Sequence, residues 1–157
     1  MIESLGYYAE FNDKKVTLDL VGTGPERENL IELARTHSRW IDVQFHGYVS
    51  DEELVEIYAK TSIFVSVDWA DYKITMFESL SYGVPVLISN ETELSKNLKL
   101  SGFVHTCQPE RKSIIDALQS SQQAVYSCND YSYLEKALEA VSWESYFKAI
   151  ENLVLER

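Results

Sequence analysis

Glu78 is the side chain in this sequence best placed to do chemistry. It sits in the first turns of a helix-like run, Ile-Thr-Met-Phe-Glu-Ser-Leu-Ser-Tyr, that ends at Gly83. Apolar runs flank that helix: Ile63–Val67 before it, Val84–Ile88 after it, with the polar loop Trp-Ala-Asp-Tyr-Lys leading in. A carboxylate there can accept two hydroxyl hydrogen bonds from a ribose, each charge-assisted. The free N–H groups at the start of the helix, near Ile74 and Thr75, together with the helix dipole, attract phosphate. A second candidate is the turn Gly22-Thr23-Gly24-Pro25-Glu26, where glycines after a strand let the backbone approach a ligand closely. Loops at the carboxyl ends of parallel strands form the ligand crevice of a doubly wound sheet, so the pattern points to a nucleotide-binding half-domain. The plainer readings stand beside these. Glu78 is otherwise a solvated helix residue, and Gly22 and Gly24 otherwise only close a strand–helix turn, which is what a lone GxG does more often than not.

The elements that must position these residues alternate along the chain. Residues 1–12 carry a helical pattern through Ile2, Leu5, Tyr8 and Ala9. Val16–Val21 is a short strand containing Asp19. Pro25 suits a first helical turn, and that helix runs to about Thr36, with Leu30, Ile31, Leu33 and Ala34 near one face. Ile41–Val49 alternates as a strand, setting Val43, Phe45 and Gly47 against Gln44, His46 and Tyr48. Ser50 reads as an N-cap with Glu53 completing a capping box. Leu54, Ile57 and Tyr58 form the apolar stripe that follows. The runs at 63–67 and 84–88 are continuous enough for strands covered on both faces. Ser101–Cys107 is a further strand, and Pro109 and Glu110 open a helix to about Tyr126. After the polar break Ser127–Ser132, Tyr133–Ala140 and Trp143–Glu156 read as final helices, the second capped by Ser142. Strands separated by helix-length segments imply parallel pairing with right-handed crossovers. One domain, 1–157, with a Rossmann-like parallel sheet and helices on both faces is expected.

Composition narrows the function. Of 157 residues, 45% are hydrophobic and 25% charged, which is ordinary for a globular domain. The net charge of −11 argues against nucleic acid and anionic membrane as partners, since both need basic surface. An anionic ligand must then be held by local dipoles against the global field. Cys107 and Cys128 lack CxxC spacing and read as free thiols in a reducing compartment. No apolar run is long enough to span a membrane, and no signal-peptide pattern opens the chain, so a cytoplasmic location is expected. No metal-ligand spacing is present. His46 reads as structural, and Asp19, His37 and His105 show no partner pattern.

Several of these motifs, in this order and spacing, resemble the C-terminal, nucleotide-sugar-binding half of GT-B glycosyltransferases of the group 1, or family 4, type. They are Val21-Gly22-Thr23-Gly24-Pro25-Glu26 with Leu30, Val43 through Leu54, Tyr58-Ala59, the strand Ile63–Asp68, Phe77 through Leu87, and Trp143. The resemblance implies a donor site for a nucleoside-diphosphate sugar in a retaining, metal-independent transferase that needs no cofactor. It places Tyr48 and Val49 at the base, Glu78 on the ribose hydroxyls, the Ile74 and Thr75 amides at the diphosphate, and Gly22 and Gly24 at the same crevice. On the residues alone, a packing role for Tyr48 is an even alternative. Lys73 is a further phosphate contact on this reading, with a plain surface lysine as the alternative. Gly83 as a helix C-cap and Pro85 as a strand-start residue are not assigned to the ligand.

Two departures from that family matter. The family carries a first glutamate eight positions before the second, and counting back from Glu78 lands on Ala70. Asp68 and Asp71 flank the gap, and Asp71 is the candidate substitute for the catalytic carboxylate. Family members also carry a preceding strand with a Gly-Arg loop and a nearby Lys, cations that clamp the diphosphate; these lie outside the 157 residues. That strand is central in the family's sheet, so a gap is expected between Val16–Val21 and Ile63–Val67. The chain is then a piece of a longer protein, or another chain supplies the strand, or the sheet closes differently. The acceptor-binding half, through which any peripheral membrane association would come, is missing in the same way. The expected function is donor binding for glycosyl transfer to an acceptor, with the isolated chain inactive. The alternative is a non-catalytic, degenerate glycosyltransferase-like binding or assembly subunit.

Overall fold

The structure, a computed structural model, describes residues 1–68, 74–124, 131–142, 144, 145 and 148. Ala70, Asp71, Lys73, Cys128, Trp143 and most of the expected last helix fall outside the described residues; Glu144, Ser145 and Lys148 of that helix are helical. Helices α1 (Ile2–Phe11), α2 (Arg27–Thr36), α3 (Asp51–Lys60), α4 (Ile74–Ser81), α5 (Lys96–Leu100), α6 (Arg111–Ala124) and α7 (Tyr131–Ala140) alternate with strands. The strands are β1 (Val16–Val21), β2 (Ile41–Gly47), β3 (Phe64–Ser66), β4 (Val86–Ser89) and β5 (Val104–Cys107). All pairings between strands are parallel, so the Rossmann-like α/β class read from the sequence holds. The Ser50 cap is present with both halves of its capping box: the Glu53 N–H donates to Ser50 Oγ, and Glu53 Oε2 accepts from the Ser50 N–H. Gly83, at φ +72°, terminates α4 in the left-handed region that costs glycine little.

The sheet is in two pieces. β1 pairs only with β2, while β3, β4 and β5 form a separate three-stranded sheet. Alternate side chains sort the packing into two layers. Val16, Leu18, Leu20 and Val43 of the first sheet, and Val65 and Leu87 of the second, meet Ile2, Leu5 and Tyr8 of α1 and Ile114 and Leu118 of α6. On the opposite face Phe64, Val86 and Ile88 meet Met76 and Leu80 of α4, Leu98 of α5 and Leu134 and Ala137 of α7. One helical layer therefore spans both sheets, and the other covers only the three-stranded one.

Handedness says which edges face each other. The connection through α2 runs on the α1 face, since α1 and α2 pack together. The connection through α4 runs on the opposite face. Right-handed crossovers on opposite faces progress in opposite directions. Of the two orders this leaves, the one with β1 and β3 as inner edges and β2 and β5 as outer ones matches the cluster that Val16, Leu18 and Leu20 share with Ile63, Val65 and Val67. This is the gap expected between Val16–Val21 and Ile63–Val67, and among the described residues no strand bridges it. Burial records the consequence. Val86, Leu87 and Ile88 of β4 are 0% exposed, whereas every residue of β3 remains partly open. The 63–67 run is covered on both faces as expected, Ile63, Val65 and Val67 packing on one cluster and Phe64 on the other, but its inner edge is unpaired among the described residues and its strand stays partly open.

Because Leu5 of α1 is buried in the one cluster to which both sheets contribute, Leu5→Ala is expected to destabilise the whole chain by about 2–5 kcal/mol. Urea unfolding followed by two probes, one in each sheet, should show a single shifted transition. Two separated transitions would mean that the sheets do not depend on α1.

Candidate functional site

α4 presents Glu78 because its other face is anchored. Met76, Ser79 and Leu80 are buried, while Ile74 and Thr75 at its start are exposed. The first-turn N–H groups of such a helix have no partner within it. Glu78 itself is half-buried, and its Oε2 accepts a hydrogen bond of 3.2 Å from the Tyr58 hydroxyl of α3. The Tyr58 ring is 6% exposed and stacks on Tyr82, with centroids 5.1 Å apart and planes 19° from parallel. Burial, and then the negative charge of Glu78, raise the Tyr58 phenol above its ordinary value.

A second group of residues lines a cavity of about 340 Å³ between β1, β2 and α3. Tyr48 and Val49 lie on its wall with Asp19, His46, Glu53, Glu56, Ile57 and Lys60. Tyr48 is 92% exposed, so it has no packing role within the chain. Gly22, at φ +106°, donates its N–H to the Gly47 carbonyl at 2.6 Å, so its glycine identity is a backbone requirement. Gly24 has no such φ and no neighbour within contact of a would-be Cβ. Among the residues expected to bind donor, Tyr48 and Val49 share this cavity; Glu78, Ile74, Thr75, Gly22 and Gly24 do not line it. Those five sit at or near the carboxyl ends of β1 and β3 instead.

The sequence reading missed one pair. His46 Nε2 lies 2.6 Å from Asp19 Oδ1. A signal for it existed: both residues occupy exposed positions of alternating strands, and β1 Asp19 is registered with Gln44, so His46 is the next residue on the same face of the neighbouring strand. The register that brings them together needed the structure. His37, also without a partner pattern, packs edge-on against Tyr7, with centroids 5.9 Å apart. A Cβ on Gly6 would come within 2.6 Å of His37 Nδ1, so Gly6 is what allows α2 to approach α1. His105 is held below its ordinary pKa by burial. The described cysteine, Cys107, is a free buried thiol. No group of His, Cys, Asp and Glu among the described residues could hold a metal ion. No helix among them is long and apolar enough to cross a membrane.

Residues 2–121 match the family described as "Glycosyl transferases group 1". No curated protein matches the chain in sequence. Among solved structures, sucrose-phosphate synthase from Thermosynechococcus elongatus superposes with a TM-score of 0.72 at 17% identity, covering 99% of this chain and 41% of that one. The catalytic domain of cholesterol-alpha-glucosyltransferase from Helicobacter pylori superposes with a TM-score of 0.54 at 18% identity, covering 88% of this chain and 87% of that one. At these identities the likeness is one of fold. The chain spans less than half the length of the synthase.

The raised Tyr58 phenol carries a sign. A neutral tyrosine favoured by the folded state stabilises it fully below the unfolded value of about 10, and that stability is lost as pH rises toward the folded value. Thermal midpoints should therefore fall above about pH 10 more steeply for the natural chain than for Tyr58→Phe. Parallel curves would mean that Tyr58 ionises as freely as in the unfolded chain.

Proposed function

This chain belongs to the group 1 glycosyl transferases, and we propose that it is the half that binds a nucleoside-diphosphate sugar for retaining transfer to an acceptor held elsewhere. The observation that carries the reading is Glu78. A carboxylate stands in the helix that follows the third strand, within the matched span, with its orientation fixed by a buried tyrosine. Its oxygens have room for a ribose: a carboxylate offers about four lone-pair sites and Tyr58 uses one. The exposed first-turn amides at Ile74 and Thr75 would meet the diphosphate, where the helix dipole opposes the unfavourable field of a chain carrying −11. Tyr48 and Val49 would border the base, and the Gly22 and Gly24 turn would let backbone approach the same crevice. Lys73 would add a phosphate contact. Asp71 is the candidate for the carboxylate that Ala70 lacks. On this reading the charge developing on the departing diphosphate is met by amides and cations, with no metal or cofactor. The two structural relatives bear the names of a sucrose-phosphate synthase and a glucosyltransferase, which supports a hexosyl group as the one moved.

The partner that completes the enzyme would supply two things, an acceptor site and a parallel strand. The facing edges of β1 and β3, which rest on one shared helical layer, support the second. The rival reading is a degenerate glycosyltransferase-like assembly subunit. Ala70 in place of a carboxylate favours it, as does the acidic surface.

Calorimetry separates the two. Saturable binding of UDP or GDP, reduced at least about ten-fold by Glu78→Ala, which is the scale of a lost charged hydrogen bond, is the expected result. No heat with either nucleotide would leave the assembly subunit as the reading. The 157-residue chain alone should release no nucleotide from UDP- or GDP-linked sugars in the presence of sugar acceptors. Sustained turnover would overturn the claim that essential groups lie outside it.

A further inference from the structure

We infer that Tyr58 is a positioning residue for the donor, its hydroxyl holding Glu78 in the orientation that meets a ribose. The inference rests on the reading of Glu78 as the ribose carboxylate and adds to it a residue of a different helix.

The geometry is specific. Tyr58 lies in the last turns of α3, is almost fully buried, and has its ring fixed by stacking on Tyr82. Tyr82 stands four residues beyond Glu78, so the two lie one above the other on the same side of α4 and its end. One tyrosine therefore engages both: its face covers Tyr82, and its hydroxyl reaches Glu78 Oε2 at 3.2 Å. Among the described residues it is the group that donates to this carboxylate. A half-buried glutamate with no such restraint keeps several rotamers and loses that freedom when a ligand engages it. A carboxylate oriented beforehand loses less, so the nucleotide binds more tightly through the same contacts. The hydrogen bond also keeps the ionised form satisfied in a poorly solvated spot while leaving acceptor sites for hydroxyls.

A purely structural α3–α4 contact would use the same distances, so the test must see through Glu78 to the ribose. UDP (or GDP, if calorimetry finds that it binds more tightly) is compared with its 2′,3′-dideoxy form in the natural chain, Tyr58→Phe and Glu78→Ala. Phenylalanine keeps the stack and removes only the hydroxyl. Tyr58→Phe should weaken the ribonucleotide about three- to ten-fold, the scale of an ordinary net hydrogen bond, and leave the dideoxy ligand unchanged. Equal weakening of both ligands, or of neither, overturns the positioning role. The reading of Glu78 is scored separately, since it fails if Glu78→Ala weakens the two ligands equally or weakens neither. If neither ligand binds the natural chain, both fall. Should Tyr58→Phe fail to fold, the natural chain still decides: the Tyr58 ring resonances in nuclear magnetic resonance spectra should shift with the ribonucleotide and not with the dideoxy form. An identical spectrum with both ligands overturns the proposal.

Discussion

The structure depends on one helical layer holding two sheets. β1–β2 and β3–β4–β5 share no strand pairing, so the backbone ladder that makes a parallel sheet cooperative stops between them. What joins them is apolar. Ile2, Leu5 and Tyr8 of α1 pack on Val16, Leu18 and Leu20 on one side and on Val65 and Leu87 on the other. Such contacts are non-directional and scale with area, so they fix the two sheets as neighbours without satisfying the N–H and C=O groups of the facing edges. A free strand edge is a template for another strand, and here two edges face each other above a common core.

The same division explains the asymmetry of the faces. The three-stranded sheet is covered on both sides, which is why β4 reads as an unbroken apolar run and is fully buried. The two-stranded sheet is covered on one side only. Its other face carries Thr17, Asp19, Asp42, Gln44 and His46, all exposed, and there α3 leaves a polar cavity rather than a packed interface. The Asp19–His46 pair lies on that face at partial exposure, where an ion pair contributes little stability, typically below about 1 kcal/mol. Its presence is better explained by the demands of an open polar wall than by stability.

Much of this was legible in the residues. Val16–Val21, the alternating 41–49 strand, which ends at Gly47, the Ser50–Glu53 capping box and the Gly83 terminator each carry a local physical signal, and each is present. The split itself was implied by the family resemblance, in whose sheet a further strand lies between these two, and not by the residues. What could not be read were features that depend on register or on neighbours. α5 is too short to show a helical period across Lys96–Leu100. The partial exposure of β3 follows from an unpaired edge and not from its composition. The Asp19–His46 and Tyr58–Glu78 pairs join residues 27 and 20 positions apart, and only the packing of adjacent elements brings them together. Tyr58 was visible as one member of an apolar stripe; nothing in the stripe announces that its hydroxyl faces a carboxylate.

The pieces of the candidate site are divided between the two sheets. Tyr48 and Val49 follow β2, and the Gly22 turn follows β1, so the base end belongs to the two-stranded unit. Glu78, Ile74 and Thr75 belong to α4, which is anchored on the three-stranded unit. α3 connects them: its capped start lies beside Tyr48 and Val49, and Tyr58 near its end holds Glu78. The distance between Tyr48 and Glu78 is therefore set by the length of α3 and by the spacing of the inner edges. A strand placed between β1 and β3 would fix that spacing with directional hydrogen bonds in place of apolar contact alone. On the proposed reading such a strand would bear on nucleotide affinity through the spacing of the site as well as through any side chain it carries to the ligand.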